Sequence, residues 1–260
     1  MDNLIKDLQK VPRDKKLVVF DLDGTLADSK ADMDEEMAGL LKNLLEKKFV
    51  AVIGGGKYEL FQRQLLSKLN VPAELLKKFF LFPTTSTSFY RYDGSVWNQV
   101  YSHNLTEEEK KRILDAFEKA FLETGYRHPE KVYGEVIEDR GTQVTFSALG
   151  QGAPLELKDK WKKEYSDMKL KIAETVQRYL PDMEVRSAGF TSIDVTHKGI
   201  DKEYGLRQIE KQLGISLDEM MFVGDALFPG GNDSAALRTG IPCFEVKGIQ
   251  DTKGLIRYLL

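Results

Sequence analysis

The stretch Val18-Val19-Phe20-Asp21-Leu22-Asp23-Gly24-Thr25-Leu26 decides the fold of this chain. An apolar run rich in β-branched residues ends in two nearby aspartates, which predicts a buried strand with Asp21 and Asp23 on one side of its carboxyl end. Ligands bind at that end of the strands in open α/β sheets. Two adjacent carboxylates are costly to bury unless a cation holds them, so the pair predicts a Mg²⁺ site. An aspartate there can also attack a phosphoryl group.

A simpler interpretation of the same stretch is a strand followed by an Asx-type turn, since Asp-Gly is a common turn pair. The chain has 260 residues, of which 42% are hydrophobic and 30% charged, with a net charge of −3. That length suits one large domain or two modest ones. The near-neutral balance gives no global electrostatic footprint for nucleic acid.

Composition also limits the location that we expect for the protein. No apolar run approaches the roughly 20 residues of a membrane span. Residues 1–16 are charged and lack the apolar core of a signal peptide, and they are predicted as a polar helix or arm. The single cysteine, Cys243, excludes an intramolecular disulfide and a multi-cysteine zinc site. We therefore expect a cytoplasmic protein that binds neither nucleic acid nor a membrane.

Strands and helices alternate at both ends of the chain, which indicates a parallel sheet with crossover helices. The predicted elements before residue 85 are strand 17–20, helix 32–48, strand 49–53, helix 58–69 and strand 79–83. Those after residue 198 are helix 201–213, strand 219–223, helix 233–239, strand 243–246 and helix 254–260.

The middle of the chain mixes hairpin strands with helices, which is typical of an antiparallel α+β unit. Its predicted elements are strands 89–92 and 95–101, helix 106–124, strands 132–138 and 143–148, helix 155–179, and strands 184–187 and 191–195. We therefore predict an α/β fold with a Rossmann-like parallel-sheet core, residues 1–85 and 198–260, and an inserted α+β cap domain, residues 86–197.

Two further motifs bring polar groups to the same sheet edge. The run Met221-Phe222-Val223-Gly224-Asp225 reads as a strand that ends in Gly-Asp, and a glycine-rich loop then leads to Asn232-Asp233 at a helix start. A turn plus an Asp233 N-cap is the alternative to a metal role for these residues. Lys202 lies at the start of another predicted helix, where a lone lysine is usually a solvated surface group.

Phe-Asp-Leu-Asp-Gly-Thr-Leu, Gly-Asp and the separate lysine together resemble the haloacid dehalogenase superfamily of phosphotransferases. The resemblance implies Asp21 as the nucleophile that forms an aspartyl-phosphate and Asp23 as the acid/base whose backbone carbonyl binds Mg²⁺. It implies Asp225 and Asp233, with Asp21, as further metal-site residues. Lys202 would bridge the nucleophile and the transferred phosphoryl group, which suits the needs of phosphoryl transfer.

The order of elements, and Pro-Gly-Gly-Asn-Asp after Gly-Asp, is similar to the eukaryotic-type phosphomannomutase-like branch, within subfamily IIB. That branch has a serine after Gly-Gly, where this chain has Gly56. The loop at Gly55 and Gly56 can still bind an anion through backbone N–H groups. One side-chain donor is nonetheless missing, which would weaken transition-state binding by about 1–3 kcal/mol. Lys57 is a candidate substitute.

The same branch grips a second phosphate with several arginines in its cap. Arg140 matches one of them, whereas two others fall on Gln151 and Lys158 and a further one on Lys30. Lysine and glutamine lack the bidentate fork of arginine. Ser192 and Asp194 match positions that contact sugar hydroxyls or the cap-bound phosphate.

A mutase must hold a bisphosphate intermediate away from water, and this chain lacks the serine and several of the cap arginines that would help to do so. We therefore predict a Mg²⁺-dependent phosphatase acting on a small phosphorylated metabolite, with a sugar phosphate as the favoured class. The alternatives are a phosphomannomutase or phosphoglucomutase, and a catalytically weak sugar-phosphate-binding protein. The resemblance leaves a monomer and a cap-mediated homodimer open.

Overall fold

The computed structural model of the chain describes residues 3–28 and 31–260. Within them the strands are β1 (Leu4–Ile5), β2 (Leu17–Asp21), β3 (Phe49–Ile53), β4 (Phe79–Phe82), β5 (Ser88–Tyr92), β6 (Trp97–Ser102), β7 (Ile137–Asp139), β8 (Val144–Ser147), β9 (Met183–Ala188), β10 (Ser192–His197), β11 (Met220–Gly224) and β12 (Cys243–Glu245). The helices are α1 (Glu35–Lys47), α2 (Tyr58–Phe61), α3 (Ala73–Leu76), α4 (Pro83–Ser86), α5 (Glu107–Thr124), α6 (Leu155–Tyr179), α7 (Lys202–Leu213) and α8 (Ile249–Leu259). Short 3₁₀ segments cover Leu8–Lys10, Leu217–Glu219 and Ser234–Thr239, and a π-helical turn covers Gln62–Leu66.

The larger sheet of the described residues has the strand order β1-β12-β11-β2-β3-β4-β5-β6. The strands from β1 to β4 in that order are parallel, and the β5–β6 hairpin continues the sheet in antiparallel pairing. The chain runs from β2 outward through β3 and β4, and later returns to the other side of β2 through β11. Strand order therefore reverses beside β2, where open α/β sheets bind ligands.

Strand β2 forms the centre of this sheet because both of its faces are apolar. Val18 and Phe20 join a core cluster with residues of α1 and α8, whereas Leu17 and Val19 join a second cluster with α7. Alternate residues of a strand point to opposite faces, so helices cover the sheet on both sides. This arrangement confirms the predicted α/β class and its parallel core.

The smaller sheet is antiparallel, with the order β7-β8-β10-β9. Its apolar residues, among them Phe146 and Ile193, form one cluster with Phe117 of α5 and Ile172 of α6. Helix α5 begins with a capping box, in which the Thr106 and Glu109 side chains each accept the other residue's backbone N–H. The predicted α+β cap is thus present, with its own core.

The chain divides into two compact units, residues 1–102 with 200–260 and residues 103–199. The first junction differs from the predicted one at residue 86. The β5–β6 hairpin belongs to the first unit because Leu81 and Phe80 of β4 pair with Tyr90 and Arg91 of β5. The turn pair Asp93-Gly94 between the two strands indicates a hairpin, but it does not say which sheet the hairpin joins.

Other departures from the predicted elements are local. The polar arm at 1–16 contains the short strand β1, which pairs with β12. The predicted helix 58–69 is one α-turn followed by the π-helical turn, and α8 begins at Ile249 rather than 254. No helix among the described residues is both long and apolar enough to cross a membrane.

Candidate active site

Asp21 and Lys202 meet at the carboxyl end of β2. The Lys202 ammonium donates to Asp21 Oδ1 at 2.5 Å and to the backbone oxygen of Ile53 at 3.0 Å. Ile53 is the last residue of β3 and lies opposite Asp21 in the sheet register. Lys202 is the first residue of α7, and that helix starts there because the Asp201 side chain accepts the Tyr204 N–H. The fold therefore buries a lysine beside the proposed nucleophile.

Asp225 and Asp233 complete a cluster of three carboxylates with Asp21. Ligand oxygens from the three side chains all lie within 4.8 Å of one another. Asp233 is wholly buried, with one oxygen 3.1 Å from the Lys202 ammonium and the other accepting the Ala226 N–H. Asp21 is thus brought together with residues that lie 181 or more positions further along the chain.

Two glycines make room for these carboxylates. A Cβ atom at Gly24 would lie 2.4 Å from Asp225 Oδ2, and one at Gly224 would lie 2.3 Å from Asp233 Oδ2. Gly24 also has φ +85°, a conformation that residues with a side chain rarely adopt. The two motifs therefore need glycine at positions 24 and 224 because any side chain there would overlap a carboxylate of the cluster. This requirement is in addition to the turns that the glycines allow.

The cluster has more negative than positive charge. Burial raises the pKa of Asp21 well above its ordinary range, Lys202 opposes that rise, and Asp233 and Asp225 add to it. Burial and the Asp233 charge raise the pKa of Asp225 to about 6. Burial alone would lower the pKa of Lys202, but the charges of Asp21 and Asp233 outweigh it and raise that pKa. Buried carboxylate oxygens of this kind fit a hard divalent cation.

Asp23 lies beside this cluster but its side chain is not one of the three grouped carboxylates. One of its partners is Gln64, whose Nε2 donates to Asp23 Oδ1 at 3.4 Å and to the backbone oxygen of Ala31 at 2.7 Å. Gln64 is completely buried and lies in the π-helical turn. Such turns often occur at functional sites. Sequence analysis missed Gln64, because a single glutamine in a helical pattern gives no signal.

The loop Gly54–Gly56 follows β3, and it lacks the hydroxyl side chain that the resemblance leads one to expect. Gly56 is buried, and a Cβ atom there would lie 2.2 Å from Leu60 Cδ2 and 3.2 Å from Leu60 Cβ. Leu60 thus occupies the space that a side chain at position 56 would need. Gly55 is exposed. Any anion contact by Gly55 and Gly56 must come from backbone N–H groups.

The predicted cap residues belong to the second unit. Arg140 Nε donates to Glu138 Oε2 at 2.9 Å, and both side chains are largely buried. Asp194 accepts a hydrogen bond from Thr145, and Ser192 lies two positions before it on the same face of β10. The Lys158 ammonium donates to the Gln151 backbone oxygen. Lys30 lies outside the described residues.

Comparisons with known proteins agree with this geometry. Residues 18–238 match the family of haloacid dehalogenase-like hydrolases. The phosphomannomutase of Encephalitozoon cuniculi is 30% identical over 238 residues, covering 85% of this chain and 84% of the relative. Phosphomannomutase 1 of Homo sapiens is 28% identical over 228 residues, covering 85% and 82%.

Solved structures share the fold at lower sequence identity. An IMP-nucleotidase of Plasmodium falciparum has a TM-score of 0.70 and 17% identity, covering 97% of this chain and 71% of the other. A haloacid dehalogenase-like hydrolase from Bacteroides thetaiotaomicron has a TM-score of 0.60 and 14% identity, covering 93% and 92%. The clustered aspartates, the buried lysine and these relatives lead to one conclusion: the chain belongs to the haloacid dehalogenase-like hydrolases, in their phosphomannomutase-like branch.

Proposed function

We propose that this protein is a Mg²⁺-dependent phosphatase that hydrolyses a small phosphorylated metabolite of the sugar-phosphate class. The observation that carries the proposal is the buried Asp21 carboxylate, held by Lys202 and flanked by Asp225 and Asp233. A carboxylate fixed by an ammonium group is a positioned nucleophile, and the same ammonium can neutralise oxygens of a phosphoryl group. A structural ion pair would not need two further acids beside it.

The reaction that we propose has two steps at phosphorus. An Asp21 carboxylate oxygen attacks the phosphorus atom, the bond to the leaving alcohol oxygen breaks, and Asp23 gives that oxygen a proton. Asp23 then takes a proton from water, and the water oxygen attacks the aspartyl-phosphate. The bond between phosphorus and Asp21 breaks, so that inorganic phosphate leaves and the Asp21 carboxylate is restored. Gln64 holds the Asp23 side chain for both proton transfers.

Asp21, Asp225 and Asp233, with the backbone carbonyl of Asp23, are the groups that we propose to hold the metal. A bound Mg²⁺ would neutralise phosphoryl oxygens as charge develops on them. The three carboxylates and the raised pKa values of Asp21 and Asp225 support a cation at this point. Lys202 supplies the only ammonium that contacts these carboxylates among the described residues.

Two observations support water as the phosphoryl acceptor. Position 56 has no hydroxyl, and Leu60 fills the space where one would stand. Arg140, the cap arginine that would grip a second phosphate, is paired with Glu138. Glu138 neutralises part of the Arg140 charge that an anionic ligand would need. Both features weaken retention of a bisphosphate intermediate, which a mutase needs and a phosphatase does not.

The test is phosphate release from a panel of sugar phosphates with MgCl₂, measured for the wild type and for Asp21→Asn. We expect Asp21→Asn to lower kcat by several orders of magnitude, because the amide is not a nucleophile toward phosphorus. Asp115→Asn, an exposed change on α5, is the matched control and should leave kcat unchanged. Equal release by the wild type and Asp21→Asn would remove Asp21 as the nucleophile.

The second candidate is a sugar-phosphate mutase, because the relatives at 28–30% identity carry the name phosphomannomutase. It is tested in parallel by conversion of mannose 1-phosphate to the 6-phosphate, with and without a bisphosphate sugar. Isomerisation that outpaces phosphate release and depends on the bisphosphate would favour the mutase over the phosphatase.

A further inference from the structure

Helix α4 is a strained segment that the mechanism above does not use. Thr84, Thr85 and Ser86 have φ angles of 47°, 55° and 68°, and they are the residues other than glycine with positive φ in the described part of the chain. A side chain in that conformation crowds the following carbonyl oxygen. Three such residues in succession persist only where the surroundings hold them, and strain of this kind gathers at functional sites.

The first contact of α4 is with the Gly54–Gly56 loop. The Thr84 N–H donates to the Gly56 oxygen and the Thr85 N–H donates to the Gly54 oxygen, both at 2.9 Å. All peptide bonds in the described residues are trans, so the N–H of each peptide unit points opposite to its C=O. The N–H groups of Gly55 and Lys57 therefore point away from α4. The left-handed turn thus fixes the direction of the loop's backbone donors.

The second contact of α4 is with α7, the helix that carries Lys202. A Cβ atom at Gly205 would lie 2.5 Å from Ser86 Oγ, so Ser86 packs directly against the backbone of α7. Ser86 is fully buried, and its hydroxyl has no hydrogen-bond partner among the described residues. The Tyr101 hydroxyl of β6 donates to the Ser86 oxygen at 2.9 Å. Ser86 therefore acts here through its shape and its carbonyl group.

We propose that α4 is a positioning element that sets the Gly54–Gly56 loop and Lys202 at a fixed distance around the transferred phosphoryl group. Thr84, Thr85 and Ser86 are its positioning residues, and the left-handed turn is what lets one short segment bond to the loop and pack on α7 together. A pocket without a hydroxyl at position 56 depends on its backbone donors, and α4 orients them. The inference rests on the proposed phosphatase function.

Gly205→Ala tests the contact between α4 and α7. The new methyl group would lie 2.5 Å from Ser86 Oγ and 2.9 Å from Ile53 Cδ1, the flexible end of that side chain. Ser86→Gly in the same chain would remove the closer contact without removing a hydrogen bond. We expect Gly205→Ala to speed amide hydrogen exchange at Thr84 and Thr85. We also expect kcat to fall about 10- to 100-fold with little change in KM, because sub-ångström misplacement acts on the reacting geometry. Both effects should reverse in Ser86→Gly/Gly205→Ala.

Gly39→Ala is the matched control, since Gly39 lies in α1 with nothing within 4 Å of an added Cβ. Tyr101→Phe is a second, milder variant that removes the hydrogen bond from the Tyr101 hydroxyl to the Ser86 oxygen. It should also speed amide exchange at Thr84 and Thr85 and lower kcat. The inference is overturned if exchange at Thr84 and Thr85 in Gly205→Ala equals that in Gly39→Ala. It is equally overturned if exchange rises while kcat stays at the Gly39→Ala value.

Failure of the proposed function has a separate signature. If the wild type hydrolyses no substrate of the panel, the Kd for orthovanadate in MgCl₂ replaces kcat as the readout. Weaker vanadate binding by Gly205→Ala, restored in Ser86→Gly/Gly205→Ala, would then support the positioning role. Equal binding by Gly205→Ala and Gly39→Ala would overturn it.

Discussion

Gly56 is the residue at which this chain departs most clearly from the phosphomannomutase-like pattern, and the structure shows what takes its place. Leu60 lies one helical turn further along and fills the vacant volume. A serine at 56 alone would require the Leu60 side chain to move, so the two positions are linked. A serine at position 56 is therefore best introduced together with a smaller residue at position 60.

We predict that Gly56→Ser/Leu60→Ala has a kcat/KM for phosphate release about 10- to 100-fold higher than Leu60→Ala alone. A hydroxyl that donates to a charged phosphoryl oxygen is worth about 1.5–3 kcal/mol. Leu60→Ala is the control for the lost packing, and Gly56→Ser alone should gain less because Leu60 obstructs it. If the paired variant is no faster than Leu60→Ala, a hydroxyl at position 56 does not face the reacting group.

Single residues were predictable from sequence where a motif names them. Asp21, Asp225, Asp233 and Lys202 come together as short motifs indicated, because the carboxyl ends of neighbouring parallel strands meet at one edge. Gln64 was not predictable, since its contact with Asp23 depends on the local π-helical turn. The left-handed turn of α4 was equally hidden, because threonine and serine give no signal for positive φ.

At the scale of elements, α1 and α8 are joined through a buried lysine. Asp34 caps α1 by accepting the Met37 N–H at 2.8 Å, and its other oxygen accepts from the Lys253 ammonium at 2.7 Å. The Lys253 side chain is only 3% exposed and also bonds to Glu36. Two elements more than 200 residues apart in sequence thus depend on one carboxylate at a helix start.

Asp34→Ala is therefore expected to lower the free energy of unfolding by about 1–3 kcal/mol at pH 7, through the lost cap and the weakened pairing of Lys253. The hydrogen bond from Lys253 lowers the pKa of Asp34 below its usual 3.8. The Asp34 contribution is then fully present above the unfolded-state pKa and is lost as pH falls through the lower folded-state pKa. The gap between wild type and variant should shrink between pH 5 and pH 3.

Urea unfolding at each pH measures that gap. Glu35→Ala, an exposed change in the first turn of the same helix, is the matched control and should shift the midpoint much less. A pH-independent gap would contradict the assignment to the Asp34 carboxylate.

Element positions followed from periodicity wherever a strong pattern existed. The bounds predicted for β3 and α6 are those observed, because a continuous apolar run and a long amphipathic run each fit one type of secondary structure. The β5–β6 hairpin was expected in the cap but pairs with β4, and local sequence patterns do not determine which strand a hairpin pairs with. β1 was missed because a two-residue strand at a sheet edge has no period to detect.

At the scale of the molecule, the two units have separate apolar clusters with no member in common. Each unit also contains one of the two tryptophans. Trp97 packs edge-on against Phe79 in the first unit, and Trp161 stacks with Tyr165 in the second. Fluorescence of single-tryptophan variants therefore reports on one unit at a time.

We predict that Trp161→Phe and Trp97→Phe give urea transitions with different midpoints, because the remaining tryptophan senses a different core in each variant. Far-ultraviolet circular dichroism on both variants serves as the control and should show one shared, broadened curve. Coincident fluorescence midpoints would mean that the two cores unfold as a single cooperative unit.

The sheet order of the first unit also dictates when it can form during synthesis. Strand β2 lies between β3, which follows it closely, and β11, which begins at Met220. About 200 residues separate these neighbours, so at roughly 5–20 residues per second a ribosome needs on the order of 10–40 s to supply the second one. Until then the backbone N–H and C=O groups along one edge of β2 are unpaired, whereas residues 103–199 emerge as one continuous stretch. The inserted unit can therefore be the first to reach its native structure, and the nascent catalytic core is the part of the chain that chaperones have most reason to protect.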